Sequence, residues 1–67
     1  MAETRITVCR RIVDKHLAEE IDGVLIDAQT ANLLVKIWEL LGPKSRETFE
    51  TTDIGRLGRW AWSQVAV

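Results

Sequence analysis

The stretch DAQTANLLVKIWELLGP, residues 27–43, decides the fold of this 67-residue chain. Asp27 is a good N-cap, because its carboxylate can accept hydrogen bonds from the free backbone N–H groups of a first helical turn. Gly42 and Pro43 mark the other end, because glycine readily takes a left-handed conformation and proline blocks the continuation of a helix. The pattern predicts one long helix over this stretch.

This helix is apolar over more than half of its circumference. At about 100° per residue, one face collects Thr30, Leu34, Ile37, Trp38 and Leu41. Further apolar residues widen that face on both sides, namely Ala31, Leu33, Val35 and Leu40. Such a helix is either central to its fold or partly covered by another chain. We therefore expect it to be the hub of the domain, and we expect a dimer or a higher oligomer.

The segment upstream of the hub allows two interpretations. RITVCR, residues 5–10, is rich in β-branched side chains, which favours a short strand. From about Arg10 onward, Val13, Leu17 and Ile21 recur every four residues, which predicts a helix that stops at Gly23. The alternative is a β-hairpin, because IDGV, residues 21–24, places an Asp-Gly pair between apolar residues. We favour the helix and keep the hairpin open.

Two shorter helices are predicted downstream. PKSRETFE, residues 43–50, has proline at the first helical position and Phe49 as its one apolar anchor. Thr52 or Asp53 then caps a last helix from Ile54 to about Val65. One face of that helix carries Ile54, Leu57, Ala61 and Val65.

Together these elements predict a single domain over residues 1–67. The fold class is mainly α, a small helical bundle with a short N-terminal strand or β-hairpin, and an α+β fold is the alternative. A domain of this length buries only about 60% of the surface that its unfolded chain exposes. Self-association is therefore a further expectation.

Composition bounds the compartment and the partners. The formal net charge is −1, so the chain lacks the basic excess that drives nonspecific binding to nucleic acid. The single cysteine, Cys9, has no partner for an internal disulfide, and the opening residues MAETRITVCRR contain no apolar run typical of a secretory signal. No apolar stretch approaches the roughly 18 residues of a membrane-spanning helix. We expect a cytoplasmic protein without membrane contact.

Fourteen positions of the chain form a sequence pattern. It reads D-G-x-L-x-D-A-x-T-A, then an apolar helix, then L-x-P-x-x-R-E-x-F, and an A-W pair near the end. The residues are Asp22, Gly23, Leu25, Asp27, Ala28, Thr30, Ala31, Leu41, Pro43, Arg46, Glu47, Phe49, Ala61 and Trp62. In this pattern the chain resembles a group of short uncharacterised proteins from bacteriophages of actinobacteria. The resemblance implies a phage protein made in the cytoplasm of a bacterial host, and it implies no activity.

The inventory of chemical groups does not favour catalysis. On one helix Cys9 and His16 would lie about 10 Å apart along the axis, too far for a hydrogen-bonded nucleophile and base. His16 and Glu20 offer two metal ligands, whereas a structural zinc site needs four. We expect no enzyme activity, no cofactor and no metal, and we expect Cys9 to be a buried structural residue.

The run RLGRWAWSQV, residues 56–65, supplies the candidate contacts. On the last helix Trp62 lies closer to the apolar face than Trp60, which falls beside Arg56. We expect Trp62 and Trp38 at the core or its edge. Exposed tryptophan and arginine are frequent anchors of protein interfaces. We therefore assign partner binding to Trp60, Arg56 and Arg59, and we expect a noncatalytic module that binds a host or phage protein or itself.

A small DNA-binding regulator is the alternative function. The last two predicted helices have helix-turn-helix proportions, and the second one carries residue types that read bases or phosphates. They are Arg56, Arg59, Ser63 and Gln64. The negative net charge and the short first helix weigh against this interpretation.

Overall fold

The computed structural model describes residues 3–65 and confirms a mainly α fold with a small β-hairpin. After the first helix, the chain forms the hairpin and then three further helices. In chain order the elements are α1 (Arg5–Lys15), β1 (Glu19–Ile21), β2 (Val24–Ile26), α2 (Ala28–Leu40), α3 (Pro43–Thr51) and α4 (Ile54–Ser63).

The strand predicted for residues 5–10 is wrong, because these residues form the first two turns of α1. Thr4 caps the helix by accepting a hydrogen bond from the backbone N–H of Thr7. Ile6, Cys9 and Ile12 recur at helical spacing and are all buried. Packing of this face overrides the weak local preference of β-branched residues for a strand.

The helix predicted from Arg10 to Gly23 ends early, and the alternative hairpin forms instead over its second half. α1 stops at Lys15, and His16 caps it in the left-handed conformation. β1 and β2 then pair antiparallel around Asp22 and Gly23, whose φ angles are 50° and 80°. Positive φ at both central residues matches the two-residue turn that fits the twist of a hairpin.

The hub helix α2 begins as predicted and ends differently. Asp27 accepts a hydrogen bond from the backbone N–H of Thr30. At the other end Gly42 is extended, with φ −76° and ψ 172°, so the predicted left-handed glycine is wrong. The ring of Pro43 favours an extended conformation at the residue before it. Gly42 is therefore the N-cap of α3.

The last two helices follow the prediction except at the C-terminal end. Phe49 anchors α3 in the core, and Asp53 caps α4 by accepting from the backbone N–H of Arg56. α4 ends at Ser63, and Val65 is exposed rather than part of the buried face. That face consists of Ile54, Leu57 and Ala61.

The core lies where α2 packs between α1 and α4. Ala31 and Leu34 on α2 are fully buried. At the C-terminal end of α2, Leu40 is 87% exposed, although its position predicted a wider apolar face. The hub is thus covered on two sides by its own chain, with one apolar side chain left outside.

Candidate functional site

A groove of about 380 Å³ opens between α3, α4 and the C-terminal end of α2. Phe49 and Leu57 are its most deeply buried lining residues. Leu41 lines it from the residue after α2, and Thr48 and Thr52 line it from α3 and its C-cap. The groove is therefore built on two residues of the hydrophobic core and is accessible from solvent.

Two of the three predicted partner-binding residues line this groove. Arg56 and Trp60 lie one helical turn apart on α4, and both side chains are exposed. The cap at Asp53 fixes the first turn of α4 and thereby the position of Arg56. Arg59 is also exposed but does not line the groove. Sequence reasoning identified the exposed lining residues Arg56 and Trp60. It did not identify the buried floor of the groove, since Phe49 comes from another helix.

The groove is apolar with one positive charge. Among the described residues that line it, Arg56 is the only charged one. Within residues 3–65 it forms no ion pair, because the ion pairs there belong to Arg5 and Arg11. A guanidinium group without a carboxylate partner, beside an exposed indole, is suited to a ligand that carries both an apolar group and a negative charge.

The two tryptophans of α4 are equally exposed, which corrects the expectation that Trp62 lies at the core or its edge and closer to it than Trp60. Each side chain is 44% exposed. Since Val65 does not join the buried face, Trp60 and Trp62 flank the centre of that face at angles of about 100° each. They differ in what they contact: Trp62 donates its indole N–H to the hydroxyl of Thr30 on α2, at 3.1 Å.

Trp38, expected at the core edge, is half-buried between helices. The guanidinium carbons of Arg46 and Arg10 lie 3.8 and 5.0 Å from the centre of its ring. Arg46 also donates to the backbone carbonyls of Trp38 and Glu39 at the end of α2. These contacts join α1, α2 and α3 and give Arg46 a role as a C-terminal cap.

A second polar centre, which sequence reasoning missed, surrounds Arg5. Its side chain is buried, and it donates to the backbone carbonyls of Phe49 and Thr52 at 2.6 Å each and to Asp22 at 2.9 Å. In return, the Glu50 carboxylate accepts from the backbone N–H groups of Arg5 and Ile6. No local pattern signals these contacts, because their partners are up to 47 residues apart.

The groups considered for catalysis do not come together. Cys9 is buried in the core, and burial, with a smaller contribution from the charge of Glu50, raises the pKa of its thiol to about 11. The thiol is therefore neutral at physiological pH and is no nucleophile. His16 is exposed at the end of α1. Among residues 3–65 there is no group of three or more histidine, cysteine or acidic side chains placed to hold a metal ion.

The geometry of the last two helices bears on the alternative function. α3 and α4 are joined by Thr52 and Asp53 alone. The polar residues that suggested a recognition helix are all exposed, namely Arg56, Arg59, Ser63 and Gln64. All of them except the C-cap Gln64 lie on α4, which also lines the groove, so both candidate functions use the same helix.

Comparison with known proteins identified no relative of this chain. No family model, no curated protein and no solved structure matches the chain. Over residues 3–65, the structure contains no helix with the length and apolar character needed to span a membrane.

Proposed function

We propose that this chain is a noncatalytic, phage-encoded interaction module that binds a protein partner in the cytoplasm of a bacterial host. The binding site is the groove between α3 and α4. The observation that carries the proposal is an apolar groove in which, within residues 3–65, Arg56 is the only charged lining residue and has no ion-pair partner. The phage origin rests on the resemblance of the D-G-x-L-x-D-A-x-T-A pattern.

The chemistry of the groove defines the partner. An apolar side chain of the partner packs on Phe49 and Leu57, and Trp60 covers it from the side. A carboxylate next to that side chain meets Arg56, which can bind it through two parallel hydrogen bonds. The partner segment therefore combines a large apolar residue with a nearby aspartate or glutamate. Grooves between helices commonly take such anchors from an amphipathic helix.

Peptide selection tests this chemistry without knowledge of the partner. A library of random peptides is selected on immobilised protein, and the enriched sequences are read. We expect an aromatic or large aliphatic residue within about one helical turn of an acidic residue. Enrichment of basic peptides, or of peptides without an apolar anchor, would overturn the proposal.

Three variants then locate the binding site. For a selected peptide, Trp60→Ala is expected to weaken binding about 30-fold or more, the loss typical of an interface anchor. Arg56→Glu is expected to weaken it by a similar factor by repelling the carboxylate. Trp62→Ala is the matched control, because Trp62 is equally exposed and lies on the other side of the buried face. Equal losses for both tryptophan variants would place the site elsewhere.

The DNA-binding regulator remains the second candidate, supported by the exposed arginines and polar residues on α4. It predicts binding to duplex DNA with a steep dependence on salt, since each neutralised phosphate adds about 0.9 to the slope of log affinity against log salt. A titration of duplex DNA at several salt concentrations separates the two functions. A flat dependence with weak binding favours the protein-binding module.

A further inference from the structure

The two edges of the hairpin differ in what covers them. β1 packs against α1, and Glu19 on β1 forms an ion pair with Arg11 of α1 at 2.7 Å. β2 consists of Val24, Leu25 and Ile26 and carries no charge. Exposed edge strands are usually protected by charged side chains or by a covering element. β1 has both kinds of protection, whereas β2 carries no charge, and two of its three residues, Val24 and Leu25, are exposed.

The register shows which backbone groups are open. Ile21 pairs with Val24 across the two-residue turn, and Glu20 pairs with Leu25. Hydrogen-bonded and non-hydrogen-bonded pairs alternate along an antiparallel ladder, and the pair that flanks a two-residue turn is hydrogen-bonded. The backbone N–H and C=O of Leu25 therefore point away from β1.

Leu25 is open in its side chain as well. The side chain is 67% exposed on the outer face of the hairpin. Within residues 3–65, its backbone N–H and C=O form no hydrogen bond to a helix, a loop or a side chain. One residue thus presents an outward donor, an outward acceptor and an apolar side chain at the centre of an uncharged edge.

We propose that β2 is a self-pairing edge, which joins β2 of a second copy of this chain in an antiparallel sheet. A two-fold axis at Leu25 lets its N–H donate to the C=O of the partner's Leu25 and accept the reciprocal bond. Such a contact is complementary to itself, as a two-fold interface requires. Val24 then lies opposite the partner's Ile26. The result is a four-stranded sheet across two chains.

The charge pattern selects this edge and this occupant. Pairing through β1 would bring Glu20 of one copy close to the partner's Glu20, and like charges across strands are destabilising. Pairing through β2 places only apolar side chains across the two-fold axis. The second copy therefore fits β2 without an unpaired charge.

The interface is small, and the dimer is expected to be weak and reversible. Each copy contributes a three-residue strand, so the buried area falls in the class of transient contacts below about 1,200 Å². The expected dissociation constant lies in the range from about 10 µM to about 1 mM. Self-pairing uses a different face from the groove, so it stands or falls independently of the proposed function.

The decisive variant is Leu25→Pro, tested by sedimentation at protein concentrations from about 10 µM to about 1 mM. Proline removes the outward N–H of residue 25, which the hairpin itself does not use, and Val24 before it is already extended. The wild-type mass is expected to rise from 7.6 kDa toward twice that value. The Leu25→Pro mass is expected to stay at that of the monomer.

Two further variants keep the test decisive. Leu25→Lys puts like charges on the two-fold axis and is expected to abolish the dimer. It replaces Leu25→Pro as the test variant if circular dichroism shows that the proline variant does not fold. Leu40→Ala removes another exposed leucine, on α2, and is expected to dimerise like the wild type. A wild-type protein that stays monomeric at about 1 mM would overturn the proposal, and so would a dimer that is lost in Leu40→Ala and kept in Leu25→Lys.

Discussion

Arg5 and Arg56 show two different uses of the same side chain. Arg5 is 8% exposed and bonds to three acceptors on two other elements of the fold. Arg56 is exposed, lines an apolar groove and forms no ion pair within residues 3–65. The first arginine is enclosed by the fold that it stabilises. The second is positioned by the cap of α4, and its charge is exposed to a ligand in the groove.

The largest expected effect is the loss of stability when Arg5 is replaced by alanine. Arg5→Ala leaves two backbone carbonyls at the end of α3 without their donor, and each buried polar group without a partner costs about 1–3 kcal/mol. We expect a loss of about 3 kcal/mol in the free energy of unfolding, measured by urea denaturation. For a domain of this size that is a large part of its total stability.

Arg56→Ala is the matched control for this prediction. Its side chain makes no hydrogen bond or ion pair within residues 3–65, so we expect a change within about 0.5 kcal/mol. Arg5→Lys should fall between the two, because one ammonium group cannot reproduce the planar fork of a guanidinium. Equal losses for Arg5→Ala and Arg56→Ala would mean that the buried network does not stabilise the fold.

Features set by neighbouring residues could be predicted from the sequence. The caps at Asp27 and Asp53 accept from backbone N–H groups three residues ahead. The Asp22-Gly23 turn is also local, although the sequence indicated it only as the alternative to the favoured helix. α1 could not be predicted in the same way. Thr4 caps it locally, but its N–H groups at Arg5 and Ile6 donate to Glu50, 45 and 44 residues away, and its buried face packs against α2.

The candidate site was predictable to the same extent. Arg56 and Trp60 are four residues apart, so a helical wheel places them together. The floor of the groove was not predictable, because it requires α3 to bring Phe49 against Leu57. The equal exposure of Trp60 and Trp62 depended on where α4 ends, since excluding Val65 moves the centre of the buried face. Long-range packing and helix ends were therefore the missing information.

A medium effect sharpens the comparison between the two tryptophans of α4. Trp62→Phe removes the hydrogen bond to Thr30 and is expected to cost about 1 kcal/mol in the free energy of unfolding. Trp60→Phe is expected to cost less, because no hydrogen bond from its indole is present among the described residues. Urea denaturation of both variants measures the difference.

A double-mutant cycle assigns that cost to one contact. Thr30→Val removes the hydroxyl and nearly preserves the shape of the side chain. If the hydrogen bond accounts for the loss, the double variant Trp62→Phe with Thr30→Val should be little less stable than either single variant. Fully additive losses would show that Trp62 contributes through packing instead.

The smallest expected effect is a loss of folding stability at low pH. It distinguishes the hairpin side of the molecule, which carries Glu19 and Asp27, from the groove. Hydrogen bonds from Arg11 lower the pKa of Glu19, and the backbone N–H of Thr30 lowers the pKa of Asp27. A carboxyl group with a lowered pKa in the folded state stabilises the fold above its ordinary pKa and loses this contribution as pH falls through its folded-state pKa. Stability should therefore decline as pH falls below about 5, toward 3.

Urea midpoints measured over that range should fall less steeply for Glu19→Gln and Asp27→Asn than for the wild type. Trp60→Phe, which changes no ionisable group, should keep the wild-type dependence. Amide hydrogen exchange should show the loss first at β1 and the first turn of α2, and an acid response that begins in α4 would contradict the assignment of these carboxylates to the hairpin side.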